Sequence, residues 1–181
     1  MNPWWPRSLS AGTALVSALT LAACGTAAPA PEPPSTTTAP PATPPGQVEV
    51  VSETQLAALL REAPGHLRVV NFWAMWCPPC VKELSGLGQF AEEHPEVELV
   101  LVNLDLPGAH GRIPRFLEQR GVGGARVVAL DSRDPATAMH QMSPDWPDAI
   151  PVTWIIRADG TVAARYARAV TPEELSARIA P

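Results

Sequence analysis

From residue 47 onward the chain alternates between two rhythms of apolar and polar positions. Residues 48–51, 67–74, 97–104 and 126–130 are short apolar runs that read as strands. Residues 67–74 are apolar apart from Arg68 and Asn71, the pattern of a strand buried on both faces. Between these runs lie stretches with helical spacing. In the first, Ser52 and Gln55 form a capping-box pattern, Leu56, Leu59, Leu60 and Ala63 supply one apolar face, and Pro64-Gly65 ends it. Further helices are expected from about residue 77 to 93, with Gly86 and Gly88 as points of bending, at 112–120, and at 136–142. Two strand-like runs, 153–156 and 162–166, flank Arg157-Ala158-Asp159-Gly160, and Asp-Gly between such runs signals a hairpin. Thr171-Pro172-Glu173-Glu174 then opens a last helix, with Thr as N-cap, Pro at the first helical position and Glu closing a capping box. Strands separated by helices predict an α/β domain: a parallel sheet covered on both faces, made mixed by the antiparallel hairpin. No internal repeat or second folded domain is visible.

The first 46 residues follow neither rhythm. Arg7 precedes an uncharged, apolar or small stretch over residues 9–22, too short for a comfortable membrane span but suited to a signal-peptide core. It ends in Leu21-Ala22-Ala23-Cys24, which resembles the bacterial lipobox, where cleavage leaves a lipid-modified cysteine at the new N-terminus. An ordinary signal peptide followed by a chance cysteine is the competing reading. The position of Cys24 at the end of the apolar run, and the segment after it, weigh against that. Residues 25–46 hold Pro, Ala, Thr and Ser with one charge, Glu32, and no large apolar side chain, so they read as an extended spacer. The expected organisation is a signal peptide at 1–23, lipidated Cys24 and linker at 24–46, and one folded domain at 47–181. The protein would then sit outside the cytoplasm, held to a bacterial membrane by lipid. A net charge of −5 without a Lys/Arg cluster excludes nucleic acid as a partner class.

The chemistry lies in Cys77-Pro78-Pro79-Cys80. A buried strand leads directly into two cysteines at the start of the next helix. Thiolates are the nucleophiles of disulfide exchange, and a helix N-terminus stabilises negative charge. Cys77 is therefore expected to be the exposed attacking thiol. Cys80, one turn on, would resolve the mixed disulfide. The two prolines fit a first turn that has no use for their missing N–H groups. With Cys24 committed to lipid, these are the remaining thiols among the three cysteines.

The segment Val69-Val70-Asn71-Phe72-Trp73-Ala74-Met75-Trp76-Cys77-Pro78-Pro79-Cys80 resembles the active-site region of the thioredoxin superfamily, in its membrane-bound TlpA/ResA/DsbE-like branch. The likeness spans most of 47–181. It implies a thioredoxin-like fold and an enzyme that exchanges disulfides with protein substrates. By the same resemblance Pro151 is the proline held cis beside the cysteines, exposing the backbone of Ile150 to a substrate peptide. Asn71 stands where thioredoxins proper carry a buried Asp. Glu83 matches the acidic residue of this branch, three positions after the second cysteine, where it would tune the Cys80 thiol and carry its proton; a solvated helix carboxylate is the alternative. Trp76 matches the tryptophan before the first cysteine, and Trp146 either lines the substrate groove or packs beneath it.

The branch implies a reductase, often in cytochrome c maturation, supplied with electrons by a membrane thiol transporter. It needs no cofactor and no metal, and a monomer is expected. An oxidase of exported proteins is the alternative direction. A copper-handling Sco-like reading requires three residues between the cysteines where this chain has two, and a zinc site requires a second ligand pair that His66, His94, His110 and His140 do not supply by spacing. The Pro-x-x-x-Thr-x-x-Cys context of peroxiredoxins is absent.

Overall fold

The computed structural model describes residues 47–180. The expected leader at 1–23, the lipidation site Cys24 and the linker through residue 46 lie outside the described residues. The elements run β1 (Glu49–Val51), α1 (Glu53–Arg61), β2 (Arg68–Trp73), α2 (Pro78–Glu93), β3 (Glu98–Asn103), a 3-10 helix (Pro107–Arg112), α3 (Ile113–Glu118), β4 (Arg126–Leu130), α4 (Pro135–Met142), β5 (Val152–Ile156), β6 (Val162–Tyr166) and α5 (Pro172–Ile179). They form a six-stranded mixed sheet in the order β1-β4-β3-β2-β5-β6. β1, β4, β3 and β2 are mutually parallel, while β5 runs antiparallel to β2 and to β6. This is the thioredoxin-like fold.

Both expected capping boxes are present, at Ser52/Gln55 and Thr171/Glu174, each satisfying N–H groups that a helix start leaves open. The 3-10 helix at Pro107–Arg112 was not anticipated from the sequence. α2 runs unbroken for 16 residues despite Gly86 and Gly88. Those glycines serve packing rather than bending: a Cβ at Gly86 would stand 3.2 Å from the Pro172 ring, and one at Gly88 would stand 3.2 Å from the Gly121 carbonyl.

The pleat divides β2 between two cores. Val69 and Trp73 face a cluster built with Leu84, Leu87 and Phe90 of α2. Val70 and Phe72 face one built with Leu56, Leu59 and Leu60 of α1 and Met139 of α4. At the far end of the sheet from the cysteines, buried Arg68 pairs with buried Glu98 and with Glu62, and Arg126 approaches the same carboxylate.

Topology places the site. β2 ends at Trp73, just before the cysteine motif, and antiparallel β5 begins with Val152 opposite Phe72. The Ile150–Pro151 segment therefore arrives beside the exit of β2.

Candidate active site

Cys77 is the N-cap of α2, in extended backbone geometry, with Pro78 and Pro79 filling the first helical positions. Its sulfur accepts a hydrogen bond from the Cys80 N–H at 3.3 Å. The two cysteines are joined as a disulfide, with Cα atoms 5.3 Å apart. The Cys77 sulfur also lies 3.5 Å from the Ile150 carbonyl oxygen, and the Ile150–Pro151 peptide bond is cis. The structure thus brings Cys77, Cys80, Ile150 and Pro151 together.

The expected exposure of Cys77 needs correction. It is only 3% exposed and Cys80 not at all. Cys77 packs into the core cluster that includes Trp73 and Leu84, with Ile150 against that cluster. Its neighbour Trp76 is exposed, at 67%.

Glu83 is buried one helical turn beyond Cys80. Its carboxylate accepts from Asn71 Nδ2 at 2.8 Å and from the Val170 N–H at 2.9 Å. Burial pushes its pKa above the ordinary carboxylate value, and the bonds from Val170 and Asn71 offset only part of that effect. Asn71 Nδ2 also donates to Thr153 Oγ1 at 3.0 Å, leaving Asn71 Oδ1 buried without a partner. The solvated alternative for Glu83 is excluded by this burial. A desolvated carboxyl group this close in the helix has the chemistry of a proton acceptor for the neighbouring thiol.

A groove of about 330 Å³ opens beside the cysteines, walled by Trp76, Leu104, Leu106, Trp146, Pro147 and Ile150. At its rim His140 and Asp148 pair at 3.0 Å. Trp146 lines this groove, and its ring meets Phe72 edge-on at 4.9 Å.

Sequence reasoning missed Asn103 and Asp105. Asn103 ends β3 and bonds Asp105, which in turn holds the loop that leads into the cysteines, with Met75 N–H donating to Asp105 Oδ2 at 2.8 Å. One acid after an apolar strand carries no local pattern that would single it out. Among the described residues, no group of three or more His, Cys, Asp and Glu side chains is arranged to hold a metal, and no helix is long and apolar enough to cross a membrane.

The AhpC/TSA family model matches residues 39–165 of this chain. The chain belongs to this thioredoxin-like family. Within the family it is similar to the thiol:disulfide interchange protein DsbE homolog of Paracoccus denitrificans, 32% identical over 141 residues that cover 77% of this chain and 68% of that one. It is also 32% identical to the thiol:disulfide interchange protein HelX of Rhodobacter capsulatus, over 65% of this chain and 61% of the relative. The chain thus spans between 61% and 68% of the length of these two relatives. Among solved structures, a secreted Mycobacterium tuberculosis disulfide oxidoreductase homologous to DsbE is 26% identical, with a TM-score of 0.50 over 63% of this chain and 80% of that one. StoA from Bacillus subtilis is 25% identical, also with a TM-score of 0.50, over 64% and 84%. The relatives are named as thiol–disulfide oxidoreductases and interchange proteins, and this family member is an enzyme of that class.

Proposed function

We propose that this protein is an extracytoplasmic protein-disulfide reductase, held to a bacterial membrane by lipid on Cys24, that reduces disulfides of exported proteins such as apocytochrome c. In the reduced enzyme the Cys77 thiolate attacks a sulfur of the substrate disulfide. A mixed disulfide forms, and the first substrate thiolate leaves and takes a proton. Cys80 then gives its proton to the Glu83 carboxylate and attacks the Cys77 sulfur. The second substrate thiolate leaves, and the enzyme returns to the Cys77–Cys80 disulfide. Two electrons have passed to the substrate, and a membrane thiol transporter restores them. Ile150 and cis Pro151 present backbone to the substrate chain, while Trp76 and Trp146 wall the groove that receives its side chains.

The observation that carries the direction is the buried Glu83. An oxidant owes its potential to a stabilised reduced form, above all a stabilised thiolate. Here a desolvated carboxyl group stands one turn from Cys80, and its hydrogen-bond partners, Asn71 and Val170, carry no positive charge. That environment opposes thiolate formation at Cys80 and favours the disulfide, which makes the dithiol a reductant. Export is supported by the apolar run before Cys24 and by a relative described as secreted. The test is equilibration of the full chain with glutathione buffers. The proposal expects a potential nearer that of thioredoxin, about −270 mV, and a value near the about −120 mV of a strong disulfide donor would contradict it.

A further inference from the structure

The turn that delivers Cys77 is held by a side chain from another strand. After β2, the Cys77 N–H donates to the Ala74 carbonyl at 3.2 Å, closing a tight turn whose first N–H, that of Met75, points away from it. Met75 N–H is taken by Asp105 Oδ2 at 2.8 Å. The same oxygen accepts from Asn103 Nδ2 at 2.8 Å, and the Asp105 N–H donates back to Asn103 Oδ1 at 3.0 Å. The Asp105 carbonyl oxygen is bound at 3.0 Å by His110 Nε2, which must carry the proton there because a carbonyl only accepts. Asn103, Asp105 and His110 are all buried. The β2–β3 ladder continues to the base of this assembly, with Leu104 N–H donating to the Trp73 carbonyl at 2.9 Å. The Asp105 N–H and carbonyl oxygen are therefore anchored to buried partners, and Oδ2, held by Asn103, also grips Met75.

Two residues beyond that grip, the Cys77 sulfur must meet the Cys80 N–H at the start of α2 and lie beside Ile150. The side chains flanking Asp105 in sequence, Leu104 and Leu106, wall the groove with Trp76. A single clamp thus registers the nucleophile against both the helix N-terminus and the substrate groove. We propose that Asp105 is a positioning residue for disulfide exchange: its carboxylate fixes the Ala74–Cys77 turn so that the Cys77 thiolate receives the Cys80 N–H at the helix N-terminus. The inference rests on the exchange reading of the cysteine pair. Without the clamp the turn relaxes, the sulfur leaves the Cys80 N–H, and the thiolate loses stabilisation.

The test uses the full reduced chain, as wild type, Asp105→Ala and Asp105→Asn. Iodoacetamide modification of Cys77 is followed against pH, with the modified peptide identified by mass, beside urea unfolding of each protein. Asp105→Ala is expected to raise the pH midpoint of Cys77 modification by about one unit, so that modification below the midpoint slows about tenfold. Asp105→Asn retains an oxygen for Met75 N–H and should restore most of the wild-type profile. A folded Asp105→Ala protein with the wild-type midpoint would overturn the proposal, whatever its stability. So would an Asn variant displaced upward as far as the Ala variant, since an oxygen in place would then not hold the midpoint, or a downward shift in both, which loss of the negative charge alone produces. If Asp105→Ala does not fold, Asn103→Ser loosens the carboxylate without removing it; a smaller upward shift supports the clamp, and an unmoved midpoint rejects it. A wild-type Cys77 inert at every pH would count against the exchange reading, whereas an active wild type with unmoved variants counts against the clamp alone.

Discussion

Replacing Glu83 separates its structural work from its chemical work. The carboxylate receives two buried donors, Val170 N–H at 2.9 Å and Asn71 Nδ2 at 2.8 Å. Glu83→Ala leaves both without it. A buried donor left unpaired costs about 1–3 kcal/mol, so the pair amounts to about 2–6 kcal/mol before any cavity is counted. Against a total stability of about 5–15 kcal/mol, that is a severe loss. Glu83→Gln keeps an oxygen for Val170 N–H, and its NH2 finds an acceptor once the Asn71 amide turns its otherwise unpaired Oδ1 toward it, so this variant should lose less stability than Glu83→Ala. The pH dependence has a definite sign. Burial raises the Glu83 pKa in the folded protein, so the native state holds this proton more tightly than the unfolded chain does. The corresponding stability is fully present below the ordinary carboxylate pKa and is lost as pH rises through the raised value. Glu83→Gln cannot ionise, so its stability relative to wild type should climb as pH rises above about 4.5. Urea unfolding of the oxidised proteins at pH 4, 6 and 8 measures this. In single-turnover exchange, Glu83→Gln should resolve its mixed disulfide about a hundredfold more slowly, the usual scale for loss of a positioned base. The reasoning fails if the Gln-minus-wild-type stability difference is flat with pH, if the Ala variant is as stable as the Gln variant, or if Gln resolves at the wild-type rate.

Two further outcomes follow from other parts of the molecule. Burial alone would raise the Glu98 pKa, but the hydrogen bonds and charges of His66 and Arg68 outweigh it and leave it lowered. Its stabilisation is thus present above the ordinary carboxylate pKa and lost as pH falls through the lowered value; Glu98→Gln should flatten the acid limb of a stability–pH curve and cost less at pH 7 than the about 3–5 kcal/mol of a fully broken buried pair, because Glu62 still faces Arg68. Trp76→Ala and Trp146→Ala should differ in kind. Trp76 is exposed, so its loss should leave urea unfolding within about 0.5 kcal/mol of wild type while raising KM for protein disulfides. Trp146 is buried against Phe72 and Trp154, so its loss should cost about 3–5 kcal/mol as well. Equal destabilisation by the two would refute the division of roles.

The fold was legible wherever local chemistry and tertiary structure agree. Ser52 with Gln55 and Thr171 with Glu174 mark helix starts because each satisfies its own N–H groups within one turn, whatever the rest of the protein does. The cysteine motif was legible for the same reason: strand, prolines and helix start lie within a few residues of one another. What stayed hidden depends on partners distant in sequence. Nothing near Gly86 or Gly88 announces that Pro172 and Gly121 approach α2 there, so the glycines read as bends. Nothing near Asp105 tells that Met75, thirty positions earlier, requires an acceptor. Cys77 reads as exposed from its place at a helix start, and the core cluster around Trp73 and Leu84 together with the Ile150–Pro151 segment just before β5 cover it. Arg68 interrupts an apolar run, and the reason is a counter-ion, Glu98, supplied by the neighbouring strand.

The central claim is that Cys77 and Cys80 divide attack from resolution, and trapping tests it most directly. With Cys80→Ser, Cys77 has no resolving partner, so incubation with an oxidised protein substrate should accumulate a dithiothreitol-reversible mixed disulfide at Cys77, absent from Cys77→Ser. No accumulation at Cys77, or equal accumulation in the two variants, would contradict the account.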